Sequence, residues 1–208
     1  MKLPLDISRQ LTKTDIDDIK NKKPISGFCV MADVVGSTEI KYNVPFSNWC
    51  INLHNTLFRF HDYSFEGVVP VLKTVGDELM YFIESDPEPK IADKLMNMLI
   101  TAAENFEPDL RSNIKIAITY SNDIYDVSFT PIVSVDYYGK GIDLTARMAS
   151  VAENRIVCNE EFHNLLQKTV EKKKWMMMLE PLEVDPEKMK GISPLPVLFQ
   201  YDVHKYLC

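Results

Sequence analysis

Two apolar runs, VVPVLKTV at 68–75 and ELMYFI at 78–83, are separated only by Gly76 and Asp77. Two residues cannot make a crossover, so the runs pair as an antiparallel hairpin, and glycine with aspartate suits such a turn. The hairpin constrains its surroundings. Upstream, FCVMAD at 28–33 reads as a short strand ending at Asp33, and the VGST that follows as a tight loop. Residues 46–60 carry Trp49, Leu53, Leu57 and Phe60 at helical spacing, one apolar stripe. Downstream, residues 90–106 fit a second amphipathic helix and IKIAITY at 114–120 a strand. The order β-α-β-β-α-β describes an α+β sandwich of ferredoxin-like type.

Further elements extend this core. A strand is expected around VSFTPIV at 127–133, a helix over Gly139 to Ala152, and a short strand at RIVCN. A helix near 160–170, a strand near 174–180 holding Trp175 and Met176 to Met178, and a last strand near 197–203 complete the chain. Residues 1–26 read as a polar N-terminal arm with one short helix around Thr14 to Lys20, and residues 27–208 as a single domain. No internal repeat is visible.

Charge narrows the possible partners. Thirty acidic against 23 basic side chains give a formal net charge of −7, which repels a nucleic-acid backbone. A small anionic substrate is compatible with that surface where bound cations reverse the field locally. Cys29, Cys50, Cys158 and Cys208 are scattered, as expected in a reducing cytoplasm without disulfides or a zinc cluster. No apolar run approaches the ~20 residues of a membrane span, and no signal-peptide pattern is present.

Asp33 ends the first strand and Asp77 occupies the hairpin turn. In a ferredoxin-like sheet these two strands are neighbours, so both carboxylates reach one sheet end. Singly, Asp33 fits a loop cap and Asp77 a favoured turn residue. Together, with VVGST supplying backbone N–H groups at a helix start, they fit a divalent-cation and phosphate site. Asp143 and Arg147, four apart on a predicted helix, also fit an exposed salt bridge. His54, His61, His163 and His204 belong to no motif.

FCVMADVVGST, VLKTVGDELMYF, IKIAITY and VDYYGKGIDLTARMASVAENRIVCNEE resemble, in that order, the sequence blocks of class III adenylate and guanylate cyclases. The resemblance runs from about residue 27 to residue 203. It implies a cyclase-type sandwich with additional C-terminal strands, and a nucleotidyl cyclase that uses two divalent cations, Mn2+ or Mg2+. Asp33 and Asp77 match the metal-binding aspartates, and Val34 would add its carbonyl. Gly36, Ser37 and Thr38 match the phosphate loop, and Arg147 the arginine that meets charge on the α-phosphate. Lys73 and Asp136 match the base-reading pair, and Lys190 falls near a phosphate-binding lysine. Asp143 departs from the pattern, which places an asparagine there to contact the ribose.

The resemblance also implies a head-to-tail homodimer, one subunit giving the aspartates and the other the arginine and base-reading residues. The VGST loop and IDLTAR helix resemble the stand-alone pyrimidine cyclases of bacterial Pycsar antiphage defence, which favours CTP or UTP. Lysine with aspartate is the adenine-reading pair in this family, which keeps ATP open; cytosine presents the same amine-beside-nitrogen order. Trp49, Tyr42 or Tyr137 would narrow the pocket against a purine. Cyclase-like domains that act only as nucleotide sensors or dimerisation modules usually lack an aspartate or the arginine, and all three are present here.

Overall fold

In the computed structural model, which describes residues 3–65, 69–105, 114–129, 136–152, 155–169 and 178–202, the chain begins with β1 (Leu3–Pro4) and α1 (Lys13–Asn21). Strand β2 (Ile25–Val34), helices α2 (Ser37–Asn43) and α3 (Phe46–Phe65), and the hairpin β3 (Lys73–Val75) and β4 (Glu78–Glu84) follow. Then come α4 (Pro89–Asn105), β5 (Ile114–Ser128), β6 (Tyr137–Tyr138) and α5 (Lys140–Ala149). The last elements are β7 (Arg155–Asn159), α6 (Glu160–Gln167), β8 (Glu180–Leu182) and β9 (Leu198–Asp202).

The sheet order is β3-β4-β2-β5-β7-β9-β8, with β1 and β6 both paired to β5. Strands β2, β3, β4 and β5 are the four strands of the ferredoxin-like unit, the first and fourth lying side by side. Alternation along β2 divides its side chains between two cores. Phe28, Val30 and Ala32 join Phe60 and Phe65 of α3, Leu95 and Leu99 of α4, and Phe162 of α6. Cys29 and Met31 face the other way, against Ile142, Met148 and Ala149 of α5. Three helices thus cover one face, while α5 packs on the other.

The hairpin forms on a two-residue turn, with Val75 opposite Glu78. Gly76 sits at φ 66°, a left-handed conformation that a side chain resists, which explains the glycine there. Strand β3 is shorter than VVPVLKTV suggests. Pro70 has no N–H to give to a ladder, and regular pairing starts at Lys73. The expected separation of IKIAITY from VSFTPIV is replaced by one strand of 15 residues. Ser121, Asn122 and Asp123 look like a turn in sequence, but a register irregularity opposite Ile25 and Gly27 lets the strand continue through them. Residues 130–133 of that run, and Trp175 to Met177, lie outside the described residues.

The arm begins in the sheet. Leu3 and Pro4 pair in parallel with Val127 and Ser128, and Leu3 and Leu5 are buried beside Val127. Helix α1 starts from a capping box between Thr12 and Asp15, which Arg9 joins at 2.6 Å, and buries no residue. Helix α5 is shorter than expected, with Gly139 before it and Ser150 after. Among the described residues no helix is long and apolar enough to cross a membrane.

Candidate functional site

Asp33 sits one residue from the end of β2, in register with Glu78 on one side and Lys115 on the other. Asp77 lies in the hairpin turn immediately before Glu78. Three carboxylates therefore gather where β2 meets the hairpin. Burial pushes the Asp33 carboxyl up to about 6, reinforced by the hydrogen bond and charge of Asp77 and opposed by Lys115. Burial would raise Asp77 as well, but hydrogen bonds from Ser37, Lys41 and Asp33 hold it below the usual carboxylate range. Glu78 is pushed up to about 7 by burial and then by the charges of Asp33 and Asp77.

Two lysines answer this charge. Lys41 Nζ lies 2.9 Å from Asp77 Oδ1, and Lys115 Nζ lies 3.8 Å from Asp33 Oδ2. Gly36 takes a left-handed conformation before α2, and Ser37, the first residue of that helix, donates its hydroxyl to Asp77 Oδ2. The loop expected to hold phosphate therefore touches the aspartate expected to hold metal. Thr38 follows on the exposed side of the same turn.

No group of three or more His, Cys, Asp or Glu side chains arranged for a metal occurs among the described residues. Two mutually repelling carboxylates with hard oxygen donors still fit Mg2+ or Mn2+, which commonly takes one or two carboxylates and completes its shell with water and phosphate. The raised Asp33, pressed against Asp77, carries the charge conflict that a cation would relieve.

Lys73 and Asp136, the residues matching the base-reading positions, form an ion pair, Nζ to Oδ1 at 2.6 Å. Asp136 is almost fully engaged. The Tyr137 backbone N–H also donates to Oδ1 at 2.9 Å, and the Tyr138 hydroxyl donates to Oδ2 at 3.1 Å. The Tyr138 ring lies 5.6 Å from the Lys73 ammonium, and the Tyr137 ring packs on Phe82 at 4.3 Å. Of the bulky residues expected to narrow a base pocket, Tyr137 is beside this pair. Tyr42 points to solvent on α2, and Trp49 lines a cavity between α2 and α3.

Asp143 and Arg147 share the exposed face of α5. No ion pair or hydrogen bond joins Asp143 or any other described residue to the Arg147 guanidinium, so the alternative of a salt bridge between Asp143 and Arg147 is not realised. The helix that carries them is held firmly. Thr145 is fully buried, bonded to Thr119 of β5 at 2.7 Å and to the Gly141 carbonyl at 2.6 Å. Lys190 is exposed in a turn after buried Met189.

The residues missed in sequence are Glu78, Lys41 and Lys115. Register could have found two of them, since hairpin pairing and the β2–β5 ladder place both beside Asp33. Lys41, four residues after Ser37, lies one helical turn further along α2.

No family model and no curated protein sequence matches the chain. Solved structures do match. The adenylyl cyclase CyaB of P. aeruginosa is similar at 17% identity and TM-score 0.67, over 86% of this chain and 95% of that one. The fold is that of nucleotidyl cyclase catalytic domains. The dimeric guanylyl cyclase domain of the RhoGC fusion protein from the fungus Blastocladiella emersonii matches at 15% identity and TM-score 0.64, over 86% and 97%. The guanylate cyclase domain of RhGC from Catenaria anguillulae, solved with GTP, matches at 14% and 0.63, over 86% and 97%.

Proposed function

We propose that this protein is a nucleotidyl cyclase, converting a nucleoside triphosphate to a 3′,5′-cyclic nucleotide and pyrophosphate. The observation that carries the reading is the meeting of Asp33 and Asp77 at one sheet end, with Ser37 of the phosphate-type loop bonded to Asp77. Asp33, Asp77 and the Val34 carbonyl would hold two Mn2+ or Mg2+ ions, whose chemistry is to acidify the ribose 3′-hydroxyl and offset phosphate charge. The N–H groups of Gly36, Ser37 and Thr38 receive phosphate oxygens at the start of α2.

Arg147 from the partner subunit meets the charge that builds on the α-phosphate as the 3′-oxygen attacks. Its exposed, uncommitted guanidinium on a rigidly seated helix supports a role across an interface. The homodimer, Asp143 as a ribose contact and Lys190 as a phosphate contact belong to the same reading.

For the base, we favour a pyrimidine. Support comes from the sequence resemblance and from the aromatic neighbours of the Lys73–Asp136 pair: the Tyr138 hydroxyl bonds Asp136, and Tyr137, the next residue, packs its ring near Phe82. Cytosine offers an amine and a ring-nitrogen acceptor in the order this pair requires. A signalling role in antiphage defence rests on the sequence resemblance alone.

The test is incubation with Mn2+ and ATP, GTP, CTP or UTP, products identified by mass spectrometry, with Asp77→Ala as control. Cyclic CMP or cyclic UMP, absent from the control, is expected. Cyclic AMP alone would make the enzyme an adenylate cyclase. Absence of any cyclic product, in protein that binds nucleotide, would make it a binding module.

A further inference from the structure

Asp77 is held on both oxygens by its own chain. Oδ1 accepts from the Lys41 ammonium at 2.9 Å, and Oδ2 accepts from the Ser37 hydroxyl. Both donors come from α2, Ser37 at its start and Lys41 one turn further on. The lysine is seated rather than loose. Its side chain is 30% exposed, against 19% for Asp77, and the ammonium lies 5.9 Å from the centre of the Trp49 ring on α3. Asp33 is less encumbered, since Lys115 stands 3.8 Å from its Oδ2, beyond hydrogen-bond distance. Of the two aspartates, Asp77 is the one that already has a cation in contact.

We propose that Lys41 is a built-in counter-cation, which occupies the Asp77 carboxylate in the metal-free chain and competes with divalent-cation binding there. An ammonium has three donors and no lone pair, so it cannot join Asp77 as a second metal ligand. Its charge also opposes a metal ion at the same carboxylate, and in a partly buried pair salt screens that repulsion little. Lys41 must therefore leave Oδ1 before that oxygen serves Mg2+ or Mn2+. Whatever the Lys41–Asp77 contact contributes to the metal-free chain lowers the ion's affinity by the corresponding factor. The contact itself stands on the geometry; the competition rests on the metal reading of Asp33 and Asp77.

The contact is tested first, by thermal unfolding of the full chain in EDTA. Lys41→Met should lower Tm by about 2–4 °C, because it leaves Asp77 beside Asp33 without its cation. In an Asp77→Asn background the same substitution should cost less than half as much, since the amide has no charge to compensate. Equal losses in the two backgrounds overturn the contact.

Mn2+ is then titrated into the full chain by calorimetry, without nucleotide. Lys41→Met is expected to bind Mn2+ about fivefold more tightly, or better. Lys41→Arg, which keeps a cation at the carboxylate, should bind no more tightly than wild type. Lys115→Met removes an equal charge that faces Asp33 instead, and should gain less than Lys41→Met. A substitution that only loosened the fold would weaken Mn2+ binding, so the sign separates the two roles. Unchanged or weaker binding by Lys41→Met, or an equal gain in Lys115→Met, overturns the competition. If wild type and Lys41→Met both bind no Mn2+, the metal reading falls and the competition with it, while unfolding in EDTA still decides the contact.

Discussion

Helix α5 rests on β5 through Gly141, and the closeness of that contact sets a measurable expectation. A Cβ at Gly141 would lie 2.4 Å from Ser121 Cβ and 2.6 Å from Ser121 Oγ. Ordinary contact begins at 3.4 Å, so Gly141→Ala must lift α5 by about 1 Å. A lift of that size stretches the 2.7 Å bond between Thr119 and Thr145, leaving buried hydroxyls poorly satisfied. Overpacking and the weakened bond together cost about 3 kcal/mol. For a chain of 208 residues that lowers Tm by about 6–12 °C. Arg147 rides on the same helix, so under the proposed function the cyclisation rate should fall about a hundredfold. Mn2+ affinity should not change, because Asp33 and Asp77 are on other elements. The assays are thermal unfolding and product formation, with Gly141→Ala/Ser121→Gly as the repair. Removing Cβ and Oγ of Ser121 clears the collision at the loss of one hydrogen bond to the Asp123 N–H. Wild-type Tm and rate in Gly141→Ala, or a defect that the double variant leaves intact, would refute the reasoning.

If Asp33 and Asp77 hold Mn2+ as proposed, Asp33→Asn should abolish the stabilisation of about 2.7 kcal/mol expected at a hundredfold excess of Mn2+ over its Kd. It should not lower the Tm of metal-free protein, since it removes the charge conflict with Asp77; differential scanning fluorimetry reads both. Arg147→Lys should reduce the rate at least tenfold through loss of the planar fork, with Mn2+ affinity unchanged by calorimetry. Gly76→Ala should destabilise by about 1 kcal/mol, because φ 66° is unfavourable for alanine, as denaturant titration would show. In metal-free protein Glu78 is protonated more readily when folded, about 7 against the ordinary 4.5. Its contribution is therefore complete below pH 4.5 and lost as pH rises through 7, and Glu78→Gln should flatten that part of the Tm–pH curve.

Local signals accounted for most of the frame. The hairpin was readable because its turn is two residues long, and the helices because their apolar residues recur at helical spacing. Asp33 and Asp77 were readable as a pair because topology makes their strands neighbours. What escaped depends on pairing across the sheet. Ser121, Asn122 and Asp123 have turn chemistry, yet β5 runs through them because β2 pairs with Ser121 and again with Ile124 across a register shift, and β6 takes up Tyr125 and Asp126 beyond. Leu3 and Pro4 are too short a run to show periodicity, and only the distant Val127 gives them a place. Lys115 looks like an ordinary polar residue in an apolar strand until the ladder sets it opposite Asp33. Lys41 needs the three-dimensional approach of α2 to the hairpin turn.

The pairing of β1 with the end of β5 has a consequence for how the protein is made. Leu3 meets Val127, 124 residues further along the chain. At a synthesis rate of about 5–20 residues per second, roughly 6–25 s pass before the partner of the first strand exists. Throughout that interval Leu3 and Leu5, both buried in the finished molecule, have no native cover. The opening segment is therefore an early-made, late-docked element, joining a sheet whose central strands are already able to zip. Its ordering during translation should trail that of β2 and the hairpin, and it would be the natural place for a chaperone to hold the nascent chain.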